Sequence, residues 1–333
     1  MNTKLIHSFA LTNEPSPHIR SKRTSKGIMM HVLIALCFPA AAAVYFFGYR
    51  VLLMLVVGIG SAMLFEWIYQ KIRNKKTTVA DASAAVTGML LALSLPVSAP
   101  LWTLVLGTAF AVIVVKQIGG GLGRNMFNPA VSARVMLKVF FTPWITNWVL
   151  PGVDAVSTAT PLEFIGHGAR TVSAEVPSLM NLFLGVDLGG NSGETAKLMI
   201  LIGMLYLIFF RVISPKIPLL CMGSTALVMF LFSGFNIHFT AAHVLSGTLI
   251  FAAVFMVTDY SSGPITAKGQ TIFAIGCGVL TAFFRIVFNL PGGIGFAIII
   301  MNMVAPWLDK QFTPRIYGHK KALRVRGDRE KEK

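Results

Sequence analysis

Apolar runs close to 20 residues long recur from residue 29 to residue 308, and VLLMLVVGIGSAMLFEWIY, starting at Val51, is a clear instance. A helix needs about 20 apolar residues to cross the hydrocarbon core of a bilayer. Inside lipid, a helix also satisfies its own backbone, which an open strand cannot do. Of 333 residues, 55% are hydrophobic and only 13% are charged, and the mean hydropathy is +0.70. A soluble chain of this length would be read as two or three domains. This composition instead predicts an all-α polytopic membrane protein.

Ten spans are predicted, near residues 29–48, 51–70, 80–98, 101–118, 128–149, 197–213, 217–234, 240–257, 271–289 and 292–308. Residues 1–28 are polar and basic, with no cleavable signal-peptide pattern before the first span. The net charge of +16 is not spread as a nucleic-acid surface would be. Lys and Arg gather at Arg20–Lys26, at Lys71–Lys76 and after Lys310, short segments beside apolar runs. Such clusters mark the cytoplasmic side and suit anionic lipid head groups. No nucleic-acid partner is expected.

With the N-terminus inside, Lys71–Lys76, Lys116–Arg124, Arg211–Lys216, Lys268 and the C-terminal tail all fall on the cytoplasmic side. The segment 150–196 then lies outside, with Asp154, Glu163, Glu175, Asp187 and Glu194 against Arg170 alone. Arg50 is the exception to the rule. The expected organisation is a basic cytoplasmic tail (1–28), five spans (29–149), an external loop (150–196), five more spans (197–308) and a second basic cytoplasmic tail (309–333).

The two halves share a pattern. LSLPVSAPLW, a span and GGGLGRNMFNPA in the first match VTDYSSGPIT, a span and LPGGIGFAIIIMNMVAP in the second. Five spans separate the copies, so they are expected as inverted repeats with broken helices, an arrangement that sets a site near the repeat interface.

Three segments could carry chemistry. GGGLGRNMFNPA lacks the spacing of a phosphate-binding or dinucleotide loop. It reads either as a loop starting the fifth span, with Asn128 near the N-cap and Pro129 in the first turn, or as two amides, Asn125 and Asn128, on one helical face beside a heteroaromatic ring. Among the ionisable residues in apolar context (Glu66, Asp81, Arg134, Lys138, Arg211, His243, Asp259 and Arg285), most sit near span ends, where snorkelling suffices. Arg285 lies about one turn inside the outer end of its span, where a phosphate or other anion is a reasonable partner. Third, VDAVSTATPLEF, starting at Val153, breaks the apolar pattern with Asp, Ser, two Thr and Pro, as a polar turn or a covalent attachment point. Cys37, Cys221 and Cys277 stand far apart, each in an apolar run, and read as buried free thiols. They form no metal site by themselves, although one could join a site completed by another subunit.

DAVSTATPL resembles the flavinylation motif of the RnfD/NqrB family, in which Asp, then Ser-x-Ala-Thr, then Leu surround a flavin-carrying threonine. Asp154, Ser157, Ala159, Thr160 and Leu162 match, while Thr158 stands where that family commonly has Gly. GGGLGRNMFNPA, VTDYSSGP and the ten-span plan extend the resemblance over nearly the whole chain. The resemblance implies that FMN is esterified through its phosphate to Thr160 by a flavin transferase acting outside the cytoplasm. It implies a second, non-covalent flavin, riboflavin, in the helical bundle near Asn125 and Asn128. It further implies a bacterial cytoplasmic membrane and an assembly with the other subunits of the Rnf complex, which couples electron flow between ferredoxin and NAD⁺ to Na⁺ or H⁺ movement. No NAD motif is visible, so catalysis is expected of the complex and no catalytic residue of this chain. A solute transporter of the urea-channel type shares the inverted five-span plan and is the alternative, and a structural anchor for redox subunits is a third reading.

Overall fold

The computed structural model describes residues 24–149, 157–158, 162, 178–186 and 188–313. Helix α1 (Ser25–Phe47) starts where Thr24 Oγ1 accepts the Gly27 N–H at 3.1 Å, satisfying a donor that the first helical turn leaves open. A single residue, Gly48 at φ +75°, separates it from α2 (Tyr49–Ile72). Glycine enters that left-handed region without a Cβ penalty.

Helix α3 (Ser83–Leu93) is the first departure from simple spans. All 11 of its residues are buried. Being apolar on every side, it belongs inside the protein rather than on its surface. At 1.5 Å per residue it is about 16 Å long, roughly half a bilayer core. It begins after a short turn whose Asp81 Oδ1 accepts the Ser83 N–H at 2.8 Å. It ends at SLPVSAP, where Pro96 and Pro100 cannot continue a helix. Helix α4 (Leu101–Ile118) changes its winding at Phe110, and its second half is a π-helix. Such segments re-aim side chains and often mark functional positions. Here Lys116 and Gln117 are both turned towards Glu66 of α2. Helix α5 (Pro129–Phe140) follows, capped by Asn128 Oδ1, which accepts from Val131 N at 3.2 Å.

Between the halves lie α6 (Thr142–Ile145), a two-stranded antiparallel ladder of β1 (Trp148–Val149) and β2 (Ser157–Thr158), and α7 (Leu179–Leu184). The second half comprises α8 (Lys197–Phe209), α9 (Lys216–Phe232), the pair α10 (Ile237–Leu245) and α11 (Leu249–Phe255), α12 (Ala267–Val287) and α13 (Gly293–Gln311). The pair α10–α11 bends by 58° at its break. All seven residues of α11 are buried, as in α3. The order helix, helix, discontinuous piece, helix, helix thus occurs twice. Helix α1 packs on α8, and α5 on α13, so outer members of the two series meet their counterparts.

The chain is a membrane protein of the all-α polytopic class. Each of the ten expected spans contains helix, but only five described helices are long and apolar enough to cross alone, or six if α10–α11 counts as one. The shorter elements follow from proline and glycine breaks that hydropathy averaging passes over. Close packing inside relies on small residues, as expected where lipid offers no hydrophobic drive to association. A Cβ at Gly88 of α3 would fall 2.2 Å from the Gly58 carbonyl oxygen of α2, so the two backbones touch there.

Candidate functional site

A cavity opens between the N-terminal end of α3, the loop before α5 and the loop after α11. Its lining is mostly apolar, with polar groups that include Ser83, Thr87, Lys116, Asn125, Asn128 and Asp259. The loop reaches this position because Gly120, Gly121 and Gly123 take φ values of +111°, +91° and +82°, which residues with a Cβ rarely adopt.

The two asparagines differ in what they are free to do. Asn128 Oδ1 caps α5, and its Nδ2 donates to Asp259 Oδ2 at 3.1 Å and to the Met256 carbonyl at 3.4 Å. Asn125 is 5% exposed, and its Oδ1 has no hydrogen-bond partner. An orphaned buried amide on a cavity wall fits a ligand that donates a hydrogen bond, as an N–H of a flavin ring does. The expectation that Asn125 and Asn128 share one helical face is corrected. The glycine-rich loop is not helical, and Asn128 serves the N-cap. Asp259 also accepts from Ser261 Oγ at 2.9 Å and Ser262 Oγ at 3.0 Å. Burial pushes its carboxyl up from the ordinary carboxylate range, and the serine hydrogen bonds oppose that rise.

Lys116 forms the cavity's cationic edge. Its Nζ lies 2.7 Å from Glu66 Oε1 and 2.5 Å from Ser83 Oγ. Gln117, Gln70 and Thr78 also donate to Glu66 Oε1, at 2.8, 3.3 and 3.3 Å. Glu66 is fully buried, which corrects its reading as a snorkelling residue. The sequence reading missed Lys116 and Lys197 as buried cations, treating Lys116 as cytoplasmic charge. The signal was in the pattern: both are single cations at the edges of long apolar runs.

A second cavity lies beyond the opposite ends of α3 and α5. Its construction mirrors the first. The first uses the loop before α5 and the loop after α11, and the second uses the loop after α3 (Ser94–Pro96) and the loop before α13 (Pro291 and Gly292). Arg134, Lys138, Glu194, Gly247, Thr248 and Trp148 complete much of its wall. Arg285 stands just behind it, 6% exposed, donating to the carbonyls of His243 and Ser246 where α10 ends. Its burial agrees with its being set apart from the snorkelling residues.

Thr160 and Asp154 lie outside the described residues. Among the motif's matched positions, Ser157 contributes backbone pairing to Val149, while Leu162 is buried with Leu182, Met229 and Phe239. A Cβ on Gly247 would meet Leu162 Cδ2 at 3.9 Å and Arg285 Nη2 at 3.5 Å, so Leu162 and Arg285 converge on one wall of the second cavity. Asn125 and Asn128 line the other cavity. Among the described site residues, Asn125 and Asn128 therefore stand at one end of the discontinuous helices, and Leu162 and Arg285 at the other. Cys221 and Cys277 are buried thiols as expected, but Cys37 is exposed on α1. Among the described residues, no cluster of three metal-ligating side chains occurs.

These features define a polytopic helical membrane protein with a cavity carrying buried polar groups at each end of two buried half-helices. The chain belongs to the NQR2, RnfD, RnfE family, whose model matches residues 12–318. It is 41% identical to the D subunit of the Na⁺-translocating ferredoxin:NAD⁺ oxidoreductase complex of Acetobacterium woodii, covering 94% of this chain and 97% of that one. It is 36% identical to the D subunit of the proton-translocating ferredoxin:NAD⁺ oxidoreductase complex of Clostridium ljungdahlii, over 94% and 98% of the two chains. It is 33% identical to the D subunit of the ion-translocating oxidoreductase complex of Escherichia fergusonii, over 92% and 98%.

Proposed function

We propose that this chain is the flavin-carrying membrane subunit of an ion-translocating ferredoxin:NAD⁺ oxidoreductase complex in a bacterial cytoplasmic membrane. The similarity to these relatives along at least 92% of the chain carries this reading. The relatives at 41% and 36% identity are named for different ions, so the coupling ion is Na⁺ or H⁺.

In this reading FMN is attached to Thr160 through its phosphate, and a second flavin, riboflavin, occupies the cavity at Asn125. The bound flavins supply the capacity to accept and pass on electrons, while the protein fixes their position and polarity. Asn125 Oδ1 would accept from the ring, Asn128 and Asp259 would hold the loop that presents it, and the apolar wall would exclude water. The Lys and Arg distribution supports cytoplasmic termini, with the Asn125 cavity towards the cytoplasm and the motif on the outer face. There an external flavin transferase reaches Thr160. The remaining Rnf subunits exchange electrons with the chain, and catalysis belongs to the assembly.

Intact-mass analysis of the chain coexpressed with a flavin transferase tests the reading. The wild-type mass should exceed the chain mass by one FMN less water. Thr160→Ala should abolish that increment and Thr158→Ala should keep it. A colourless wild-type protein of unmodified mass that conducts a small solute would establish the transporter alternative instead.

A further inference from the structure

The second cavity holds the Arg134 guanidinium and two buried donors, on Trp148 and Thr248, that meet no hydrogen-bond partner among the described residues. We propose that it is a phosphate site, built to hold the oxyanion of a phosphate ester. Arg134 is the guanidinium facing the ligand, and Trp148 and Thr248 supply neutral donors. The site follows from this chain's own residues. Only the naming of a flavin phosphate as one source of the ligand rests on the functional reading above.

The first observation is charge. Arg134 and Lys138 line the cavity, and Lys197 and Arg285, 3% and 6% exposed, are buried beside it. Glu194 is the carboxylate within electrostatic reach of Arg134, Lys197 and Arg285. Yet Glu194 Oε1 is used by the Asn191 N–H at 3.1 Å, and its Oε2 has no hydrogen-bond partner. Lys197 donates to the Glu194 backbone carbonyl, and Arg285 to the carbonyls of His243 and Ser246. These two cations are thus met by dipoles, an arrangement that costs free energy in a low-dielectric interior unless an anion completes it. Among the described residues one carboxylate, Glu194, thus stands against three cations, Arg134, Lys197 and Arg285.

The second observation concerns unpaired donors. Trp148 Nε1 and Thr248 Oγ1, both on lining residues, are buried without a hydrogen-bond partner, as is Arg285 Nε behind them. An indole N–H can only donate, so what completes it must be an acceptor. A guanidinium beside such donors suits a phosphate, whose oxygens accept in the planar fork geometry.

The third observation is position. The cavity is the structural counterpart of the one at Asn125, so each end of the discontinuous helices carries a built pocket. It also adjoins both described flanks of the threonine motif. Trp148 pairs with Thr158, and Leu162 Cδ2 would lie 3.9 Å from a Cβ built on Gly247. Two sources share the chemistry: the phosphodiester of a flavin on Thr160, and a phospholipid head group.

The test uses the full chain with Thr160→Val, purified without transferase, so that no covalent flavin fills the site. Thermal unfolding is followed in inorganic phosphate and in chloride at matched ionic strength. Phosphate should raise Tm by a few degrees over chloride. Arg134→Gln and, separately, Thr248→Val should shift the half-maximal phosphate concentration at least tenfold upwards, while keeping the parent's Tm in chloride. A phosphate effect equal to that of chloride, or one that survives in the folded variants, overturns the proposal. If Arg134→Gln fails to fold, Thr248→Val decides alone. FMN stabilising at least tenfold more tightly than riboflavin assigns the flavin phosphate as the source. Retention of phosphatidylglycerol in native mass spectra, lost in the variants, assigns a lipid head group. A wild-type chain without covalent flavin that still responds to phosphate removes the functional reading and keeps the site.

Discussion

Asn128 Nδ2 donates to Asp259 Oδ2 at 3.1 Å, tying the loop that starts α5 to the loop that follows α11. One side chain therefore caps a helix of the first half and anchors a turn of the second. Asn125, three residues earlier, holds nothing within the protein through its Oδ1.

This difference predicts opposite phenotypes for neighbouring residues. Asn128→Ala removes an N-cap, worth about 1 kcal/mol, and leaves Asp259 short of a donor, at about 1–3 kcal/mol. A lower unfolding temperature of the purified chain is the expected result. Asn125→Ala removes no hydrogen bond from its Oδ1, so Tm should hold while non-covalent flavin content falls. Unfolding in Asn125→Ala together with a neutral Asn128→Ala would reverse the assignment.

The crossing of α2 and α3 offers a sharper steric comparison. A Cβ at Gly88 would meet the Gly58 carbonyl oxygen at 2.2 Å, whereas one at Gly60 meets nothing within 4 Å. Gly88→Ala must push two buried backbones apart, at a cost of about 1–3 kcal/mol. Gly60→Ala should be neutral or slightly stabilising, since alanine favours a helix over glycine by about 1 kcal/mol. Equal Tm values for the two variants would show that the two helices can separate there without cost.

Much of this was legible in the sequence, and the failures have physical causes. Apolar runs gave the class and the approximate place of every described helix except the short α7, which lies in the expected external loop. They overstated crossing length, because α3 and α11 are apolar from burial in protein rather than from contact with lipid. Hydropathy cannot separate those two environments. Asn128 and Pro129 announced a helix start, and the cap is there. Glu66 and Lys116 were read separately because they are 50 residues apart, and only the π-turn of α4 brings Lys116 onto Glu66. The second cavity had no local signal, since Arg134, Glu194 and Thr248 come from three distant segments.

Orientation gives a direct chemical prediction. In the proposed orientation, which follows the Lys and Arg distribution, position 74 is inside and position 170 outside. In a cysteine-free background, Arg170→Cys should react with an impermeant maleimide on intact cells, and Asn74→Cys only after lysis. Labelling in the reverse order would turn the chain over and put Thr160 beyond the reach of an external transferase.

The buried pair Lys116–Glu66 supports the most quantitative expectation. The two groups are 2% and 0% exposed in their side chains and 2.7 Å apart. Removing one charge strands the other, which costs about 3–5 kcal/mol in comparable buried pairs. Lys116→Met should therefore sharply lower the yield of folded chain, and Glu66→Leu should do the same by leaving an unpaired ammonium. The double variant removes both charges and should recover most of the loss, giving a large coupling in a double-mutant cycle. Lys116 also borders the Asn125 cavity, so flavin content separates two roles. If the ammonium only balances Glu66, the double variant regains both stability and non-covalent flavin. If it also faces the ligand, stability returns while flavin content stays low. Independent, additive effects of the two single substitutions would rule out the pair as a structural unit.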